Sequence, residues 1–129
     1  MKIYLSKINE SRIVDRVRKE WYQHNEKVST EKIKEADILW IIARWMWKKI
    51  PLRHLKSKKV VCSYYHFDFD KFGQKEKENF FKLDKYVNEY HVISEITKKQ
   101  LQTLTNKKIT SIPFWVNQEV WFEINEKNL

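Results

Sequence analysis

Ile38-Leu39-Trp40-Ile41-Ile42-Ala43 is an apolar run with no polar residue inside it, and Val60-Val61-Cys62-Ser63-Tyr64-Tyr65 is a second stretch broken only by one serine. A strand with one face in water alternates apolar and polar residues. Unbroken runs predict strands buried on both faces, the condition of a parallel sheet covered by helices. Ile3-Tyr4-Leu5, His91-Val92-Ile93 and Ile109-Thr110-Ser111-Ile112 are shorter apolar runs, the last closed by Pro113.

Helical patterns fill the intervals. Ile13, Val14, Val17 and Trp21 share one helical face behind Asn9 or Ser11 as N-cap, and Thr30 can cap a short turn reaching Ala36. Pro51 suits the first turn of a helix through Leu55. Phe80, Phe81 and Leu83 lie in a helical stretch from Lys75 to Tyr86, and Ile96, Leu101 and Leu104 suit a helix running from Ser94 to Asn106. Strands alternating with helices predict an α/β fold: a Rossmann-like, doubly wound parallel sheet in a single domain spanning 1–129. Its ligands bind beyond the carboxyl ends of the strands.

Composition narrows the chemistry. With 42% hydrophobic and 15% aromatic residues the chain has the material for a core, and 129 residues suit one domain. A single glycine and two prolines exclude phosphate-cradling glycine loops and flexible linkers. The lone Cys62 cannot form an internal disulfide, and with four histidines it offers no closed zinc site, so a reducing cytosol fits and no metal or cofactor is implied. No apolar run reaches the ~20 residues of a membrane span.

The formal charge is +9, and between Ile38 and Phe67 stand Arg44, Lys48, Lys49, Arg53, Lys56, Lys58 and Lys59 with no acid among them. Arg44-Trp45-Met46-Trp47-Lys48-Lys49 interleaves cations with indoles. Such a segment suits nucleic acid, anionic lipid headgroups or a phosphorylated substrate, and equally suits the edge of a core whose lysines are merely solvated. Lys48, Lys49, Arg53 and Lys56 are the candidates for contact with an anionic membrane surface.

On a parallel sheet the residues after each strand line the functional edge: Ser6 to Glu10, Arg44 to Trp47, His66 to Asp70, Ser94-Glu95, and Pro113 to Asn117. His66 can donate to a sugar hydroxyl or an anion, with Asp68 or Asp70 orienting it, or can be a solvated loop histidine. The Asp68/Asp70 pair could serve as acid and base or bind a divalent ion, or belong to an ordinary polar loop. Ser94 reads as a helix cap, since no nucleophile-elbow sequence surrounds it.

The second half resembles a known family. Tyr90-His91-Val92-Ile93-Ser94-Glu95-Ile96 through Leu101, then Ile109 to Asn117 and Phe122, is similar to glycosyltransferase family 4, where a strand ends in a serine with an acidic neighbour and the next strand runs into an I-P-N-G-V-D pattern. Val60 to Asp68 looks like that family's strand ending in histidine and aspartate, and Asp37 to Trp40 is similar to the strand before it. The resemblance implies the N-terminal, acceptor-side domain of a GT-B fold. It makes His66 the catalytic residue, at the donor sugar, and assigns Ser6, Asn9, Asp68, Ser94, Glu95 and Asn117 to substrate, to which the edge position and chemistry of Arg44 and Trp45 add those two. The sequence departs from the family in two places. Ser6 to Ser11 holds no glycine, leaving Ser6 and Asn9 to supply side-chain donors, and Phe114-Trp115 stands where the family has Asn-Gly.

The implied activity is that of a retaining enzyme that moves a sugar from a nucleotide-sugar donor to a glycan or lipid-linked acceptor, at the cytoplasmic side of a membrane. It needs a C-terminal Rossmann-like domain that these residues do not contain, with 113–129 beginning the linker to it, so inactivity in isolation is expected. Two other classes remain: a basic module for single-stranded nucleic acid, and a half-enzyme that docks through Trp115 and Trp121 onto a separately encoded domain.

Overall fold

In a computed structural model, residues 1–7, 13–65 and 69–113 are described, with side chains from 15 and from 73 in the second and third of these stretches. The strands are β1 (Ile3–Leu5), β2 (Ile38–Ile41), β3 (Lys59–Tyr64), β4 (Glu89–Val92) and β5 (Lys108–Ser111). All pair in parallel, in the order β1-β2-β3-β4-β5. The helices are α1 (Ile13–His24), α2 (Leu52–Ser57), α3 (Phe69–Asp84) and α4 (Glu95–Gln102), with short 3-10 turns at Glu26–Val28, Ile33–Glu35 and Arg44–Lys49. The α/β, parallel, Rossmann-like expectation holds.

The register makes one face of the sheet from Leu39, Ile41, Val60, Cys62, Tyr90 and Val92, all at most 1% exposed. Leu55 of α2, Phe80 and Leu83 of α3 and Leu101 of α4 pack on it. The opposite face carries Leu5 and Trp40, against which Trp21 and Tyr22 of α1 pack. Helices therefore lie on both faces, with α1 alone on its side among the described helices.

The reversal that defines a doubly wound sheet is compressed into one residue. Ser29 makes a single parallel bridge to Ile3, and Thr30 N–H donates to the Ile3 carbonyl at 3.0 Å. Backbone groups alternate along a strand. Lys2 and Ser6 bond toward β2, so Ile3 points to the opposite edge, and the chain steps outward from β1 to Ser29 before returning past β1 to β2. The switch point, where such sheets hold ligands, is then the crevice between the carboxyl ends of β1 and β2.

An edge strand must satisfy its outward amides. Leu5 N–H donates to the Tyr22 hydroxyl at 3.0 Å, that hydroxyl donates to the Thr30 carbonyl at 2.9 Å, and Arg18 Nε donates to the Leu5 carbonyl at 3.2 Å. The Arg18 guanidinium also lies 4.7 Å from the Tyr22 ring centroid. Two side chains of α1 thus replace the ladder that a full neighbouring strand would supply.

Some expectations are corrected. The apolar runs are not buried evenly on both faces: β2 alternates, with Leu39 and Ile41 buried and Ile38 and Trp40 half-buried. On the α1 side, Trp40, Val61, His91, Thr110 and Ile112 line an apolar groove of about 460 Å³ whose described lining includes no helical residue. Helix α4 ends at Gln102, short of Asn106, because the Leu101 carbonyl accepts from both Leu104 and Thr105 in a closing turn and the Thr103 hydroxyl donates to the Gln100 carbonyl. Ile96 is 72% exposed, since the phase set by the Ser94 cap turns Thr97 and Leu101 inward. Phe81, at 47%, also faces out. Pro51 is the N-cap of α2, preceding its first turn. Helix α3 begins earlier than Lys75 and kinks at Gly73, whose φ of 57° is left-handed backbone that favours glycine. The expectations on Asn9, Ser11, Ile13 and Val14 lie outside the described residues and side chains.

His54 on α2 is 7% exposed, and its Nε2 is buried with no hydrogen-bond partner among the described residues. Loss of solvent, then the positive charges of Arg53, Lys58 and Lys34, pulls its pKa below the usual imidazole value. The unfolded chain therefore binds a proton more readily than the folded one. Stability is expected to be full above about pH 6.5 and to fall below it as the unfolded state protonates. Urea denaturation of wild type and His54→Leu from pH 8 to 5 checks this: the wild type should lose the larger share of its stability. Parallel curves would contradict it.

Candidate functional site

A row of hydrogen bonds laces four strand ends together at the carboxyl edge. Ser6, directly after β1, is 3% exposed; its N–H donates to the Trp40 carbonyl at 2.9 Å and its Oγ accepts from Ile42 N–H at 3.1 Å. The Tyr65 hydroxyl, just after β3, donates to the Ile42 carbonyl. Thr97 Oγ1 donates to the Tyr65 carbonyl at 3.4 Å, while Ser94 Oγ, after β4, accepts from Thr97 N–H at 3.2 Å. The row fixes the floor of the edge and places Ser6, Ile42, Tyr65 and Ser94 along it.

Ser6 and Ser94 are thus brought to one edge as the sequence predicts, though both hydroxyls are engaged within the protein: Ser6 ties β1 to β2 and Ser94 caps α4. Glu95 is exposed in the first turn of α4, where its charge favours the positive helix end. Asn9, His66, Asp68 and Asn117 lie outside the described residues. So do Trp115 and Trp121, while Asp70 falls in the first turn of α3 with its side chain outside the description.

Arg44 follows the end of β2 and opens the 3-10 turn. Its Nε and Nη2 donate to Glu76 Oε1 of α3 at 3.0 and 2.7 Å, and its guanidinium sits 5.3 Å from the Tyr64 ring centroid. The pair is mostly sheltered, with the two side chains 21% and 13% exposed. Met46 is buried and Trp47 lies against Tyr86, with ring centroids 6.3 Å apart, whereas Trp45 is 47% exposed. The segment therefore divides between the two readings of its sequence. Met46 and Trp47 belong to the packing, and Trp45 remains presented at the surface beside exposed Lys48 and Lys49. Arg53 and Lys56 continue the cationic surface along α2, which turns His54 and Leu55 inward.

Around this point Arg44, Trp45, Trp47, Lys48, Glu76 and Asn79 surround a cavity of about 170 Å³, with Tyr64 and Leu83 at its base. Sequence reasoning missed Glu76 and Asn79. Both lie on the α3 turn facing the sheet, more than thirty residues from Arg44, and no local spacing links them to it.

Protein-family models, curated proteins and solved structures were all compared with the chain, and none matches.

Cys62 is fully buried, and burial pushes its thiol well above the ordinary value, so it acts as a small core residue and not as a nucleophile. No cluster of three or more histidine, cysteine, aspartate or glutamate side chains occurs among the described residues, and no described helix is long and apolar enough to cross a membrane.

A polar cluster also lies on the α1 face. Trp40 Nε1 donates to Ser63 Oγ at 2.8 Å, and Ser63 Oγ pairs with His91 Nδ1 at 2.8 Å. His91 Nε2 lies 2.8 Å from the Ile112 carbonyl. A carbonyl only accepts, so Nε2 carries a proton; in the neutral ring Nδ1 then accepts and Ser63 donates to it. Ser63 is 0% exposed, and the chain of bonds pins β2, β3, β4 and the end of β5 to one another.

Proposed function

We propose that this chain is the acceptor-side, Rossmann-like half of a retaining glycosyltransferase. It would present a glycan or lipid-linked acceptor to a nucleotide sugar held by a second Rossmann-like domain. The observation that carries the reading is the gathering of Ser6, Arg44, Trp45, Ser94 and Glu95 at the carboxyl edge of one doubly wound sheet, beside the switch point between β1 and β2. The resemblance in residues 90–122 supports it, as does the order of the strands. The donor diphosphate finds no glycine loop here, so its affinity comes from the second domain. The role of His66 at the donor sugar is part of the proposal.

Calorimetry of the chain with nucleoside diphosphate sugars tests this division of labour. The expected result is binding weaker than millimolar and no sugar release. A micromolar Kd would overturn it.

The exposed cations also give the acceptor side a surface for anionic lipid. Lys48, Lys49, Arg53 and Lys56 each contribute at most about 1 kcal/mol near such a surface, and the exposed indole of Trp45 favours the headgroup layer. Cosedimentation with phosphatidylserine vesicles is expected to fall with added salt and to be lost when these four residues become alanine. Equal pelleting of the variant would remove the membrane contact. A single-stranded oligonucleotide that shifts the protein while vesicles do not would favour the nucleic-acid reading instead.

A further inference from the structure

We infer that the cavity between the 3-10 turn and α3 is a seat for one neutral pyranose ring, gripped between the Trp45 indole and the side chains of Glu76 and Asn79. The inference rests on the transferase reading only for the role of the bound sugar, as the acceptor's terminal residue.

The size of the site limits its guest. At about 170 Å³ the cavity lies below the roughly 300–1,000 Å³ of pockets that take drug-sized ligands, which leaves room for a single ring. Its chemistry limits the guest further. Sugars combine an apolar face of C–H groups with a rim of hydroxyls that donate and accept at once. A binding site for them needs a flat apolar wall with carboxylate and amide groups at its side. Trp45, 47% exposed, supplies the wall. Glu76 Oε1 accepts both bonds from Arg44, while Oε2 makes none among the described residues. The Asn79 amide is half-buried and likewise makes no side-chain hydrogen bond among them. A half-buried amide and a sheltered carboxylate oxygen with unfilled capacity around one cavity call for a partner that supplies several hydroxyls.

Electrostatics decide between a sugar and a phosphate. The Arg44 charge is met by Glu76 at 2.7 Å, and both are mostly sheltered, so the pair presents little net field to the cavity. Lys48 is the one unpaired cation of the described lining, and its Nζ lies 5.9 Å from the Trp47 ring centroid, at the mouth. A phosphate in this space would stand beside the Glu76 carboxylate with a single lysine to offset it. A neutral ring loses nothing there. Arg44, held by Glu76 on one side and the Tyr64 ring on the other, acts as a positioning residue that keeps the Glu76 carboxylate at the wall.

The test titrates the chain with the methyl glycosides of glucose, galactose, mannose and N-acetylglucosamine. Tryptophan fluorescence and saturation-transfer NMR read the binding, and inorganic phosphate is the charged comparator. At least one glycoside is expected to bind with millimolar affinity, insensitive to salt. Trp45→Ala is expected to weaken it by about tenfold or more and Asn79→Leu by several-fold, both with unchanged circular dichroism. The inference is overturned if no glycoside binds, if Trp45→Ala binds as well as the wild type, or if phosphate binds more tightly than every glycoside. A glycoside that binds as expected, together with micromolar nucleotide-sugar binding in the calorimetry above, would leave this site standing and remove the acceptor-half reading. The reverse pattern would remove the site alone.

Discussion

Phe80→Ala is expected to lower the unfolding free energy by about 3–5 kcal/mol, because the ring cannot be removed without opening the core. Phe80 is 0% exposed; it meets Tyr64 edge-on at 5.8 Å and stacks on Tyr90 at 5.6 Å. Tyr64 and Tyr90 belong to adjacent strands, β3 and β4, so this one ring of α3 fastens the helix to both. A domain of this size holds about 5–15 kcal/mol in all, so the substitution removes a large share of the stability. Urea denaturation followed by tryptophan fluorescence measures it. A loss under 1 kcal/mol would mean that α3 is not seated as described.

Tyr22→Phe is expected to cost about 1–3 kcal/mol while removing one oxygen atom and no apolar surface. The hydroxyl receives the Leu5 amide and donates to the Thr30 carbonyl, so its loss leaves a donor and an acceptor at the β1 edge without their partner. Burial raises the pKa of this phenol, which keeps it in the protonated form that the two bonds require. Hydrogen exchange should localise the effect. The Leu5 and Thr30 amides are expected to exchange faster by at least tenfold while those of β3 and β4 follow only the global change. Uniform acceleration would contradict the clasp.

The sheet was legible because its strands are written as apolar runs. The runs at 38–43 and 60–65 lie where β2 and β3 form, and the shorter ones fall within two residues of β1, β4 and β5. Their unbroken hydrophobicity overstated burial: Ile38 and Val61 are apolar yet line a groove whose described lining holds no helical residue. Ser94 was readable as a cap because capping is local chemistry, a hydroxyl and an amide three residues apart. The return of the chain through Ser29 was not readable, since one bridge leaves no apolar pattern. Nor was the clasp: helical spacing gives the face on which Arg18 and Tyr22 lie, not the amide and carbonyl they reach. The pairing of Arg44 with Glu76 is likewise tertiary. The sequence presents Arg44-Trp45 as an isolated basic aromatic segment with no acid nearby, and the acid that neutralises it arrives on α3. That arrival offsets the Arg44 charge and leaves Lys48 as the unpaired cation of the described lining.

The proposed function requires that the carboxyl edge of this sheet meet saccharide. Amide shift mapping of the whole chain by NMR, with an oligosaccharide panel in one titration and a single-stranded oligonucleotide in another, tests it most directly. Saccharide is expected to move the amides of Ser6, Ile42 through Lys48, Tyr65 and Ser94, and to leave those at the opposite edge, Asp37, Asn88 and Lys107, where they were. Salt-sensitive shifts with the oligonucleotide across Lys48 to Lys59, with no response to any saccharide, would contradict it.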